Sequence, residues 1–160
     1  MNKAIFLDRD GVLITERGDY NYLPADIILV HGIVESLQEL QKKGYIFIVI
    51  TNQGGIAREL YDHARVHEIH DQLKYHFESE KIIIQEFYYC PHHPVVSACI
   101  CRKPDSLMLE KALARFNIHA EKSWFIGDND RDIEAGKKAG VQTLLIPSNA
   151  DLREYLDQIN

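Results

Sequence analysis

Residues 45–50 are almost continuously apolar and rich in β-branched side chains, and the run stops at Thr51-Asn52-Gln53. A half-exposed strand would alternate apolar and polar residues. An unbroken run of this length instead fits a strand covered on both faces, in a parallel sheet between two helical layers. Shorter apolar runs at residues 4–7, 87–89, 124–126 and 143–146 read as four more strands. Between them lie helical stripes. Ile33, Leu37 and Leu40 form the first, closed by Gly44 as a C-cap. Val66, Ile69, Leu73 and Phe77 form the second; Leu107, Leu109, Leu113 and Phe116 the third, opening just after Pro104. Ile133 with Ala135-Gly136 marks a fourth, ending near Gly140, and residues 152–159 a last one. Alternating strand and helix predict an α/β protein with helices on both faces of its sheet.

In such sheets ligands bind at the carboxyl ends of the strands, where this chain carries its polar signals. Asp8 and Asp10 follow the first strand, with Gly11 free to turn the chain behind them. Residues two apart on extended backbone face the same way, so the two carboxylates share a pocket. Their repulsion needs a reason: a hard divalent metal, or a nucleophile beside an acid. Thr51 and Asn52 offer neutral donors to a phosphate, although such residues also make ordinary turns. Arg102-Lys103 precedes Pro104, and Gly127-Asp128 ends the fourth strand. Asp128 joins Asp8 as an oxygen ligand for Mg²⁺. Asp130 reads as helix capping and dipole compensation, and Asp132 as both that and a brace behind the metal.

The chain has 160 residues and a formal net charge of -6, one domain's length and no basic surface for nucleic acid. No apolar run reaches membrane-spanning length and no signal-peptide pattern opens the chain, so a cytoplasmic location is expected; the chain is also expected to be a monomer. All three cysteines, Cys90, Cys99 and Cys101, lie in one short segment with His92 and His93. An odd, clustered set argues against disulfides. Cys90, His92, Cys99 and Cys101 suit a tetrahedral structural Zn²⁺, with His93 the rival fourth ligand. The clip at about 90–101 would aim Arg102 and Lys103.

Asp8-Arg9-Asp10-Gly11, Thr51-Asn52-Gln53, Lys103-Pro104 and Gly127-Asp128 with Asp132 resemble, in order, the four motifs of haloacid dehalogenase-like phosphatases. The resemblance spans almost the whole chain and implies a three-layer Rossmann-like fold without a large cap domain, residues 1–160 forming the catalytic unit. It implies that Asp8 attacks phosphorus, that Asp10 protonates the leaving group and then activates water, and that Thr51 and Lys103 hold the phosphoryl group. Mg²⁺ would be bound by Asp8, the Asp10 carbonyl and Asp128.

The cysteine clip resembles the zinc-containing branch, whose members hydrolyse heptose bisphosphates or histidinol phosphate. Residues 51–58 and 18–24 look closer to the heptose type, which implies substrate contacts from Glu16, Arg17, Gly18, Asp19, Asn52, Gln53, Arg102 and Lys103. The short loop between His92 and Cys99 resembles the histidinol type, and Gly54 and Asn129 stand where serine and lysine are usual. A bisphosphate would use Arg17, Arg58 or Arg102 for its distal phosphate; histidinol's amine would use Glu16 or Asp19. A zinc-stabilised binding module without turnover is the alternative outside the enzymes.

Overall fold

The computed structural model describes all 160 residues. Lys3–Leu7 (β1), Tyr45–Asn52 (β2), Ile84–Cys90 (β3), Trp124–Gly127 (β4) and Gln142–Leu145 (β5) form one parallel sheet, ordered β3-β2-β1-β4-β5. Ile33–Lys42 (α1), His63–Ser79 (α2), Leu107–Arg115 (α3) and Asp130–Ala139 (α4) connect the strands, with 3₁₀ turns at Pro24–Asp26, Ala120–Lys122 and Leu152–Gln158. Winding reverses beside the central β1, which pairs with β2 on one side and β4 on the other. The crevice outside that reversal is where an open α/β sheet takes its ligand.

Side-chain alternation divides the core in two. Ile5 and Leu7 of β1 and Phe47 and Val49 of β2 pack under α1, α2 and the C-terminal 3₁₀ turn. Ala4, Phe6, Ile48 and Ile50 face the other way, against Met108, Leu109 and Ala112 of α3 and Ala135 of α4. Phe47, Ile48, Val49 and Ile50 of β2 are fully buried, as the unbroken apolar run at residues 45–50 predicts, and so are Ala4 to Leu7 of β1. Truncating one such side chain to alanine costs about 2–5 kcal/mol, so the site stands on a stiff floor.

Several boundaries differ from the sequence expectation. Thr51 and Asn52 do not form a turn but are the last two residues of β2, paired with Tyr89 and Cys90. β3 begins earlier than its apolar stretch, because it is an edge strand whose Gln85 and Glu86 face partly to solvent, with an irregular register against Phe47 and Ile48. Pro104 does not start α3; it follows a cis peptide in the preceding loop, and Ser106 takes the N-cap position. The inward face of α3 is Met108, Leu109 and Ala112, with Leu107 and Leu113 half-buried. Asn129, not Asp130, caps α4: its side chain accepts from Arg131 N, while Asp132 bonds back to Asn129 N in a capping box. The last segment is a 3₁₀ turn, anchored by buried Leu152 and Leu156. No helix is long and apolar enough to cross a membrane.

Candidate active site

The carboxyl ends of β1, β2 and β4, with the loops beyond them, enclose an open, largely polar cleft of about 680 Å³. Asp8, Asp10, Thr51, Asn52, Gln53, Lys103 and Asp128 all line it. Glu16, Gly18, Asp19 and Arg102 lie on the same cleft. Arg17 is the exception among the expected residues. Its guanidinium is drawn to Asp26 at 3.0 Å and Asn21 Oδ1 at 2.7 Å, so it ties its own loop together.

Lys103 crosses from the cysteine segment to the end of β1 and is 1 % exposed. Its Nζ donates to Asp8 Oδ1 at 2.8 Å and Ile50 O at 2.9 Å, and lies 2.7 Å from Asp132 Oδ1. Burial alone would lower its pKa; the two carboxylates outweigh that and raise it. Asp132 Oδ1 has no aligned hydrogen bond, so its tie to the ammonium is one of charge. Asn52 clamps the lysine's backbone: its Oδ1 accepts from Lys103 N at 3.0 Å and its Nδ2 donates to Lys103 O at 3.1 Å. Its amide is therefore engaged in holding Lys103 while Asn52 lines the cleft.

Burial pushes the Asp8 carboxyl well above the usual range, Lys103 opposes this, and Asp132 and Asp128 push it up further. Its Oδ1 also accepts from Arg9 N at 2.9 Å. Carboxylate oxygens of Asp8, Asp128 and Asp132 lie within 4.8 Å of one another. One lysine against this crowd leaves room for a small hard cation, which would relieve the repulsion. The backbone is shaped for it as well. A Cβ at Gly11, which sits at φ +93°, would meet Asp128 Oδ2 at 2.0 Å, and one at Gly127 would meet Asp132 Cβ at 2.3 Å.

Asp10 has different surroundings. Burial favours its neutral form, but the Arg9 charge and bonds from Arg9, Asn21 and Gln53 together hold its pKa below the usual range. Arg9 reaches it with Nε at 3.0 Å and Nη2 at 3.2 Å, Asn21 Nδ2 at 2.9 Å and Gln53 Nε2 at 3.3 Å. Gln53 also donates to Thr51 Oγ1 at 2.9 Å and accepts from Tyr61 OH at 2.7 Å.

Beneath Arg9, His70 of α2 is buried with its pKa well below the usual histidine range, through burial first and then Arg9 and His67. It stays neutral in the fold, whereas the unfolded chain takes up its proton near pH 6.5. Its stabilising contribution is thus complete above that value and declines as pH falls through it. Thermal unfolding should show a Tm loss between about pH 7.5 and 5.5 that is smaller in His70→Gln than in the parent.

Cys90, His92, Cys99 and Cys101 converge, each offering one ligand atom within 4.8 Å of the others. His92 contributes Nδ1; His93 turns away, its Nδ1 accepting from Val95 N at 3.2 Å. The separations Cys90–Cys99 at 3.7 Å and Cys90–His92 at 3.4 Å match the edges of a zinc tetrahedron, about 3.8 and 3.5 Å for ordinary Zn–S and Zn–N bonds. Cys101 sits closer, 3.2 Å from His92 and 2.8 Å from Cys90, and would open by about 1 Å. Burial pushes the Cys90 thiol up, so its thiolate calls for a cation at the sulfur.

Arg102 donates to His92 O at 3.1 Å, and Arg58 to Tyr20 OH at 3.3 Å. With His93 and Arg131 they also line the cleft. Desolvation, Arg102 and Arg58 lower the His93 pKa. Sequence reasoning missed Asn21, Tyr61, Ser148 and Asn149. Ser148 donates to Asp128 Oδ2. Asn149 accepts from Glu16 N at 2.7 Å and donates to Glu16 O at 2.9 Å, pinning the rim loop. Loop-typical residues of this kind carry no periodic signal; only the fold discloses their partners.

A parallel α/β sheet that gathers a buried carboxylate–lysine pair, further carboxylates and a threonine at its carboxyl edge defines a hydrolase built for phosphate esters. Known proteins agree. A hydrolase family model described as "HAD-hyrolase-like" matches residues 100–160. The D-glycero-beta-D-manno-heptose-1,7-bisphosphate 7-phosphatase of Haemophilus ducreyi is 33% identical over 150 residues, covering 90% of this chain and 82% of that protein. The histidine biosynthesis bifunctional protein HisB of Legionella pneumophila is 37% identical over 147 residues, covering 91% of this chain but 42% of that protein. The crystal structure of D,D-heptose 1.7-bisphosphate phosphatase from B. bronchiseptica, complexed with magnesium and phosphate, superposes with a TM-score of 0.85 at 29% identity, covering 98% of this chain and 86% of that one. The chain belongs to the haloacid dehalogenase-like phosphatases.

Proposed function

We propose that this chain is a Mg²⁺-dependent phosphatase that removes the 7-phosphate of D-glycero-D-manno-heptose 1,7-bisphosphate through an aspartyl-phosphate. The observation that carries the chemistry is the buried pair of Asp8 and Lys103, 2.8 Å apart at the end of the central strand. Asp8 attacks phosphorus, and the bond from phosphorus to the sugar oxygen breaks. Lys103 and Thr51 hold the phosphoryl oxygens. Asp10 gives its proton to the departing sugar oxygen. The resting carboxyl is held low by its donors; a phosphate dianion beside it acts in the opposite sense and raises its proton affinity. Asp10, now a carboxylate, takes a proton from water as that water attacks phosphorus, and the bond to Asp8 breaks. Asp8, Asp128 and the Asp10 carbonyl would hold Mg²⁺, which when bound offsets charge between carboxylate and phosphate. Zn²⁺ at Cys90, His92, Cys99 and Cys101 would brace the segment that delivers Arg102 and Lys103.

The heptose assignment is supported by the relatives and by the cationic rim. Arg58 and Arg102 line the cleft and Arg17 does not, which favours the first two for a distal phosphate. Arg102→Ala should raise KM for the bisphosphate about 10- to 100-fold, the worth of one charge-assisted bond, and that of a small monophosphate far less. Equal loss on both would assign Arg102 to the transferred phosphate instead. Histidinol phosphate is a second reading, favoured by the HisB match and by Glu16 and Asp19 on the rim. Phosphate release from the two substrates, compared as kcat/KM, decides between them, with the bisphosphate expected to win.

A further inference from the structure

We propose that Arg9 and His70 are positioning residues that fix the plane of the Asp10 carboxyl for proton transfer to the leaving oxygen, an inference that rests on the reading of Asp10 above.

Arg9 is 1 % exposed, and a buried guanidinium is costly unless its donors are met. Its Nε and Nη2 fork onto the two Asp10 oxygens, Nη2 also donates to Asn21 O at 3.0 Å, and Nη1 meets His70 Nε2 at 3.3 Å. Guanidinium nitrogens only donate, so His70 Nε2 accepts and the ring proton sits on Nδ1. His70 in turn is immobilised. It stacks on Phe87 with ring centres 4.6 Å apart and lies edge-on to Tyr89. The chain of contacts therefore runs from α2 and β3 through His70 and Arg9 to Asp10.

The chemistry explains what this chain of contacts is for. The outer torsion of an aspartate is soft, so a lone carboxylate swings broadly. A proton donor works only within about 2.6–3.2 Å of the oxygen it serves. A point charge in place of Arg9 would keep the charge balance of Asp10 but leave its plane to single bonds from Asn21 at 2.9 Å and Gln53 at 3.3 Å. A two-point fork sets both, and His70 stops the fork from turning.

The test exploits leaving groups. The ratio kcat/KM reports events up to transfer of phosphorus to Asp8, so it reads proton donation to the leaving group and not later hydrolysis. β-Glycerophosphate releases an alkoxide that needs the proton; p-nitrophenyl phosphate releases a phenolate that leaves without it. Arg9→Lys keeps the charge and loses the fork. His70→Phe keeps the stacking and loses the acceptor, and His70→Gln restores an acceptor. Arg9→Lys and His70→Phe should each lower kcat/KM for β-glycerophosphate about tenfold or more, with a loss under about threefold on p-nitrophenyl phosphate. His70→Gln should recover most of the difference. If His70→Phe does not fold, Arg9→Lys and His70→Gln carry the same comparison. Equal losses on both substrates, or none, would overturn the inference. Asp10→Asn is the control: selective loss there with indiscriminate Arg9 and His70 variants refutes the positioning role alone. Indiscriminate loss in Asp10→Asn removes the acid assignment itself, and the inference with it.

Discussion

Asp8→Asn should lose turnover by about 10⁴-fold or more while remaining folded. The amide is nearly isosteric but offers no negative oxygen to phosphorus. Its stability points the other way from its activity. The Asp8 carboxyl is already pushed up by burial and by Asp132 and Asp128, so removing its charge relieves repulsion. Lys103 keeps Asp132 at 2.7 Å and is not left unpaired. The variant's Tm should therefore equal or exceed that of the parent. Phosphate release and thermal unfolding, measured on the same preparation, check both halves. Near-normal turnover would sink the covalent mechanism, whereas a collapse of Tm with activity would mean that Asp8 is chiefly structural.

Elemental analysis should find about one zinc per chain, and Cys99→Ser should lose metal, stability and activity together. Structural zinc contributes about 10–16 kcal/mol in small peptide sites, much more than any single contact in this loop. The loss reaches the cleft because Cys101 lies two residues before Lys103, and Arg102 between them bonds back to His92 O at 3.1 Å. A freed loop would misplace the lysine that pairs with Asp8. Chelator treatment of the parent followed by zinc should reproduce and then reverse the change. A parent protein that lacks zinc yet is fully stable and active would defeat this reading.

Periodicity made the sheet legible because burial on both faces leaves a strong mark, as at residues 45–50. It failed at β3, where an edge strand admits Gln85 and Glu86. It also failed at the start of α3, where Pro104 resembles a helix opener but belongs to the loop delivering Lys103. The convergence of Asp8, Thr51, Lys103 and Asp128 was legible because their chemistry is distinctive and their positions follow strands. The geometry separates His92 from His93, which sequence could not, since both stand in one Pro-His-His-Pro stretch. The pairing of Arg17 with Asp26 was not legible because surface arginines reach many partners, and only the folded loop shows which one it takes. Asn21 and Asn149 were invisible for the opposite reason: asparagine in a loop is commonplace until its partners are known.

Asp132 closes the capping box of α4 with one oxygen and meets Lys103 with the other. The first turn of α4 and the buried Asp8–Lys103 pair therefore share one side chain. Any breathing motion that frays the first turn of α4 takes one of two carboxylates from Lys103, which Asp8, Ile50 O and Asn52 still hold, so local opening there reaches the cleft as a loosened lysine and not a lost one.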